Sequence, residues 1–183
     1  MNSEKIENLV ERSKQRDTAA FRQLVEASRP LVFRLAFRLL CSEDEAKDIV
    51  QETFIRVWLH LHRYQNHTRF STWLYRIACN LCYDRLRTMK RSQGAFSTGI
   101  DLSEWDTPDG DDVEQSVINR DLKELITALT HDLTPKQRLV FTLRDIEGLE
   151  LEEVREITGM SGAKIKSNLY LARQYIRNKI SEA

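Results

Sequence analysis

S-E-D-E-A-K-D-I-V-Q-E-T-F-I-R-V-W (Ser42–Trp58) and F-S-T-W-L-Y-R-I-A-C-N-L-C-Y-D-R-L-R-T-M-K-R (Phe70–Arg91) are the runs whose reading decides the fold. Ser42 followed by Glu45 is a capping box, so a helix is expected to start there. Ile49, Phe54, Val57, Trp58 and Leu61 fall near helical spacing and can face a core. Asp48, Gln51, Glu52 and Arg56 then form a polar stripe pointing elsewhere. In the second run, Leu74, Ile77, Leu81 and the stem of Arg85 make a buried line. Trp73, Arg76, Asn80, Arg87 and Lys90 occupy another face. Between Arg69 and Arg91 there are six basic residues and one acid, Asp84. Basic side chains neutralise phosphates, and aromatic rings offer unstacked bases a surface. A charged face of this kind is also what a merely solvated helix shows.

The order and spacing of both runs resemble region 2 of the extracytoplasmic-function (ECF) group of bacterial sigma factors. The resemblance implies a promoter-recognition subunit of RNA polymerase, and the remaining sequence can be read against that expectation.

The 183 residues allow one large domain or two small ones. Charged residues reach 31%, while there are only six glycines and three prolines, which favours an all-α protein. The formal net charge is zero, but its distribution is uneven. Residues 1–93 carry 17 basic and 11 acidic side chains, residues 94–116 none and seven, and residues 117–183 eleven and ten. A basic front module, an acidic connector and a mixed rear module follow, and DNA responds to the local field rather than the total. Cys41, Cys79 and Cys82 are an odd count without a disulfide framework, as expected of a reducing cytoplasm. Cys79 and Cys82 form C-x-x-C, but no second Cys or His pair stands at zinc spacing. The opening M-N-S-E-K-I-E-N-L lacks the apolar core of a signal peptide. No run approaches the roughly 20 apolar residues of a membrane span. A cytoplasmic protein without cofactor or metal is the expectation.

Along the chain, residues 3–13 read as a helix. Asp17 caps a second, and Pro30 suits the first turn of a third that runs to Leu40. Ser42 starts the fourth, His62 to Thr68 reads as a loop, and the basic helix follows. Residues 1–92 are therefore read as one helical bundle. Residues 93–115 hold three glycines and one proline and keep no helical period, so they read as a flexible acidic linker. Its Phe96, Ile100, Leu102 and Trp105 are apolar enough to dock on something. About 22 residues reach at most about 75 Å, more than two turns of DNA at about 35 Å each. The expected architecture is thus two helical bodies holding separated patches of one duplex.

Residues 116–183 form the rear module. Val117, Leu122, Leu125, Ile126 and Leu129 give an apolar stripe. Thr134-Pro135 opens the next helix, which Gly148 ends. A short helix covers about Glu150 to Ile157, Gly159 makes a tight turn, and Ser161 caps a last helix reaching about Ile180. This is a helix-turn-helix pattern. Lys164, Lys166, Arg173, Arg177 and Lys179 give the last helix five basic residues and no acid from Ser161 to Ile180. A solvated basic helix in an ordinary bundle fits these residues equally well.

L-T-P-K-Q-R-L-V-F-T-L-R-D-I-E-G-L-E-L-E-E-V-R-E-I-T-G-M-S-G-A-K-I-K-S-N-L-Y-L-A-R (Leu133–Arg173) resembles ECF sigma region 4. Four positions depart from the family pattern. Arg155 stands where a small residue is usual, Thr158 where Leu is common, and Asn168 and Leu171 where arginines are frequent. The first puts close packing of the two helices in doubt, and the last two remove charge from the reading helix.

The resemblance implies roles residue by residue. Asp48, Gln51, Glu52 and Arg56 match the surface that binds core RNA polymerase. Tyr64, Asn66, Arg69, Trp73, Arg76, Asn80, Arg85 and Arg87 match the part that reads the −10 element of promoter DNA and takes a base from the stack. Lys164, Lys166, Ser167, Tyr170 and Arg173 match the −35 reading helix. It also implies capture by an anti-sigma factor, often at the membrane, and no small-molecule substrate. The sequence shows no catalytic constellation. A helix-turn-helix regulator acting without polymerase is the alternative, and it leaves the Asp48–Arg56 stripe without a purpose.

Overall fold

The computed structural model describes residues 3–65, 68–93, 128–130 and 132–181. Helix α1 spans Ser3–Lys14, α2 Thr18–Leu40, α3 Glu43–His60 and α4 Phe70–Gln93, with a 3-10 turn at Leu61–Arg63. The rear residues form α5 (Pro135–Phe141), a π-helical turn at Thr142–Ile146, α6 (Leu151–Thr158) and α7 (Gly162–Ser181). Among the described residues there is no strand. The linker assigned to 93–115 and the stripe from Val117 to Ile126 lie outside the described residues, save Gln93 at the end of α4.

The local signals act as their chemistry requires. Asp17 caps α2 by accepting from the Ala20 amide at 2.9 Å, and Arg12 grips the same carboxylate at 2.6 and 3.0 Å. The Ala20 amide, then Arg12, hold the Asp17 carboxyl below its usual range. Ser42 accepts from the Glu45 amide at 3.4 Å. Thr134 and Gln137 form a reciprocal capping box ahead of α5. Gly148 (φ 69°) and Gly159 (φ 68°) take left-handed turns that an L side chain rarely adopts.

One expectation is corrected. The helices expected either side of Pro30 are one, α2, with Pro30 inside it. Proline costs an interior helix about 3 kcal/mol. Leu24, Val32, Leu35 and Leu39 are nevertheless buried along one continuous face, against α3 and α4. Burying each such side chain is worth about 1.5–3 kcal/mol, so the face outweighs the break. The two bodies lie against each other: the rear domain is docked on the front one. Leu139, Val140, Leu143, Val154, Ile157, Ile165 and Leu169 belong to the same buried cluster as the front bundle.

The reason is a second buried stripe on α4. Leu74, Ala78 and Leu81 serve one side, while Tyr75 and Cys79 are buried on another, next to Glu147 of the rear domain. Helix α6 packs along α4. The seam is sealed by polar groups. Glu147, just after the π turn, accepts from Arg38 of α2 and from the Tyr75 hydroxyl at 2.7 Å. Burial, then the Glu147 bond, push the Tyr75 phenol well above its usual range. The Arg138 guanidinium donates to the Leu39 carbonyl at 2.8 Å, covering the end of α2 where carbonyls lack helical partners.

Removing the Glu147 carboxylate would leave Arg38 and Tyr75, both of the front bundle, at the seam with no acceptor from the rear domain. Glu147→Ala is expected to weaken docking by about 2 kcal/mol, as a lost part-buried charged hydrogen bond does. Small-angle scattering of the full chain would then show a larger radius of gyration than wild type. An unchanged radius, or a wild type that is already extended, would rule this out.

Candidate nucleic-acid and polymerase interface

Three exposed faces carry the residues singled out from sequence. The first is α3. Asp48, Gln51 and Arg56 are exposed and Glu52 is half-buried. Arg56 donates to Glu52 at 2.6 Å, one helical turn back. Two residues that the sequence reading passed over lie among them: Ile55 and Leu59 are 59% and 53% exposed. Asp48, Glu52, Ile55 and Leu59 follow i, i+4, i+7, i+11 and so share one face. The opposite face buries Ala46, Ile49, Val50, Thr53, Phe54 and Val57. The signal was available, since two large apolar residues stand out of phase with the core line.

The second face belongs to α4. Trp73, Arg76, Asn80 and Arg87 lie along one side of the helix, spread over about 21 Å of axis. Arg76, Asn80 and Arg87 are exposed and Trp73 is half-buried. Arg69, immediately ahead of the helix, is open to solvent, with Glu153 of α6 at 4.0 Å. The structure relocates two other candidates. Tyr64 is buried: its hydroxyl donates to the Thr68 carbonyl at 2.6 Å, and its ring sits edge-on to Phe70 and 5.2 Å from Trp73. It closes the loop and supports Trp73 rather than presenting a ring. Arg85 lies on the bundle side and pairs with Glu45 of α3 at 2.7 Å. Asn66 and the side chain of Lys90 lie outside the described residues.

The third face belongs to α7, which follows the Gly159 turn. Ile165, Leu169, Ala172 and Ile176 are buried. Lys164, Lys166, Ser167 and Tyr170 are exposed. Arg173 is exposed and reaches to the π turn, where Asp145 accepts from its Nε at 2.7 Å and its Nη2 at 2.6 Å. That bond raises the guanidinium's affinity for its proton. The four departures are accommodated. Arg155 turns outward to Glu152 at 2.8 Å, and Val154, Ile157 and Ile165 stay buried, so the helices do pack closely. Thr158 donates to the Val154 carbonyl at 2.6 Å and accepts from the Met160 amide at 3.2 Å, closing α6. Asn168 donates to the Lys164 carbonyl at 2.7 Å, and Leu171 is left exposed.

Cys79 and Cys82 are buried, and burial pushes the Cys79 thiol well up and that of Cys82 up to about 12. Thiolates are the ligands and nucleophiles of cysteine chemistry, so neither serves such chemistry in this docked state. Among the described residues no three His, Cys, Asp or Glu converge as metal ligands, and no helix is long and apolar enough to cross a membrane.

A capped helix-turn-helix behind a helical bundle with a basic aromatic face defines a two-domain helical nucleic-acid-binding class. Comparison with known proteins makes this specific. The Sigma-70 region 2 family matches residues 24–92, and the Sigma-70, region 4 family matches residues 123–176. The ECF RNA polymerase sigma factor SigW of Bacillus subtilis is 30% identical over 182 residues, covering 97% of each chain. The ECF RNA polymerase sigma-E factor of Haemophilus influenzae is 31% identical, covering 94% of this chain and 93% of its own. In fold, the chain is similar to CnrH solved with the cytosolic domain of CnrY, with TM-score 0.70, 20% identity and 99% of each chain covered. It is also similar to the sigma factor RpoE solved with the anti-sigma factor NepR from Bartonella quintana, with TM-score 0.67, 23% identity, and 88% and 96% covered. The chain belongs to the ECF RNA polymerase sigma factors, which direct promoter-specific transcription initiation.

Thiol accessibility offers a check on the docked state. In native protein near pH 8, a thiol-specific reagent is expected to modify partly buried Cys41 first. Cys79 and Cys82 should react only after denaturant is added. Prompt reaction at three thiols would contradict the burial described.

Proposed function

We propose that the chain binds core RNA polymerase through the exposed face of α3 and delivers it to promoters read at two sites. Asp48, Gln51, Glu52 and Arg56 supply the polar part of that face, and Ile55 and Leu59 its apolar end. Protein interfaces combine an apolar patch with polar groups beside it. This face carries the reading. A free-standing regulator has no use for two large aliphatic side chains left in water beside a row of acids.

The face of α4 is assigned to the −10 element. Arg69, Arg76 and Arg87 would hold backbone phosphates, and Asn80 would meet a base edge. Trp73, braced by Tyr64 and Phe70, would receive an unstacked base, a contact worth about 1–3 kcal/mol. Helix α7 is assigned to the −35 duplex, with Lys164, Lys166, Ser167 and Tyr170 at its surface. Arg173 acts by fixing α7 to the π turn through Asp145. The polymerisation chemistry belongs to the core enzyme, and no residue here is assigned a catalytic step.

Docking and promoter reading exclude each other on size. A docked chain of this length is about 40 Å across, short of two turns of DNA at about 70 Å. Glu153 beside Arg69 also sets a carboxylate where a phosphate would approach. Polymerase binding would therefore separate the domains. The docked form is the natural substrate for capture by an anti-sigma factor in the cytoplasm or at the inner face of the membrane. RpoE, a relative in fold, was solved with such a partner.

Run-off transcription with purified core enzyme tests the reading. Core plus this chain should initiate at sites that core alone ignores, and the chain alone should bind the same DNA poorly. Strong binding without core would favour the free-standing regulator. Leu59→Asp is expected to weaken core binding at least about tenfold in a pull-down or titration, without lowering thermal stability, because Leu59 is solvent-exposed. Unchanged core affinity would remove α3 from the interface.

A further inference from the structure

Sequence readers usually discriminate bases with forked side chains. Arginine grips guanine, and asparagine or glutamine grips adenine. The groove-facing end of a reading helix is its N-terminal half. In α7 that half runs from Gly162 to Leu171 and contains no arginine and no glutamine. Its one amide, Asn168, donates to the Lys164 carbonyl at 2.7 Å and is half-buried. Arg173, just beyond, gives its Nε and Nη2 groups to Asp145 in an exposed ion pair. Forked side chains are thus absent from this half or already bonded within the domain.

What this half presents instead is Ala163, Lys164, Lys166, Ser167, Tyr170 and Leu171, all exposed. Lysine can meet guanine O6 and N7 or a phosphate, and serine suits either a donor or an acceptor. Leu171 is different. It is 45% exposed, four residues after Ser167 and seven after Lys164, and therefore shares their face. An aliphatic side chain on a groove-facing surface has one apolar partner among base edges, the C5-methyl of thymine.

We propose that Leu171 is a specificity-determining residue of this sigma factor, and that it selects thymine in the −35 segment by packing on the thymine methyl. The inference rests on the assignment of α7 to that segment. Ser167 and Leu171 stand about 6 Å apart along the helix, nearly two base pairs at about 3.4 Å each. The selected thymine therefore lies about two steps from the base that faces Ser167.

Deoxyuridine isolates the contact, because it pairs and accepts hydrogen bonds as thymine does but lacks the methyl. Holoenzyme reconstituted with the full chain would first select active promoters from a library randomised in the −35 segment. Each thymine of the selected segment, on either strand, would then be replaced singly by deoxyuridine. One replacement is expected to weaken holoenzyme binding about fourfold, the worth of one buried methyl-sized group. Leu171→Ala should remove that sensitivity, and Leu171→Arg should move the selected base from thymine towards guanine. Insensitivity of the wild type at every position would overturn the proposal, as would a Leu171→Ala variant that keeps the sensitivity. Run-off from promoters with a fixed −10 element separates the two levels of failure. Transcripts without thymine selection sink only the role of Leu171, whereas no transcript from any library member sinks the promoter-reading assignment beneath it.

Discussion

A carboxylate caught between two domains organises this molecule. Glu147 is only 11% exposed, and a charge so placed is tolerable only when it is paired. Arg38 and Tyr75 provide that pairing, and both come from the front bundle. The ionic contact does not supply the bulk of the docking energy, which comes from apolar side chains of α5, α6 and α7 merged into the front core. It fixes where that apolar surface sits, because any other register would strand a buried charge. Arg138 acts in the same way from the rear domain, by covering the Leu39 carbonyl at the end of α2.

Helix α4 follows from this arrangement. It is used on three sides at once: one packs into its own bundle, one is covered by the rear domain, and the third keeps Trp73, Arg76, Asn80 and Arg87 towards solvent. A helix loaded in this way must be long and regular, which its 24 residues provide. The aromatic trio Tyr64, Phe70 and Trp73 then sets the angle of the loop that precedes it. If the proposed −10 role of this face holds, these ring contacts order it before DNA arrives, so little ordering cost is added on binding.

Helix α7 shows the opposite economy. Its Arg173 and Asn168 bond within the domain, and the exposed surface of its N-terminal half is lysine, serine, tyrosine and leucine. With the proposed −35 role, modest reading by this surface is workable when two contact sites are linked through one polymerase, since linked sites act with an effective concentration neither has alone.

The helices, their caps and the order of the two domains were legible in the sequence, because capping boxes, glycine turns and apolar periodicity are local properties. So was most of the polar stripe on α3. Pro30 misled because its breaking effect is local, whereas the burial that overrides it comes from α3 and α4. Tyr64 and Arg85 misled for a related reason: a ring or a cation in a DNA-binding segment looks available until neighbours are placed around it. Glu147 carried no signal at all, being one acid among many near a glycine. What the sequence determined by itself was which segments coil, where they stop and which family they belong to. What only the tertiary structure decided was which side chains remain free, because pairing and burial are set by residues some hundred positions away, as Arg38 and Glu147 are.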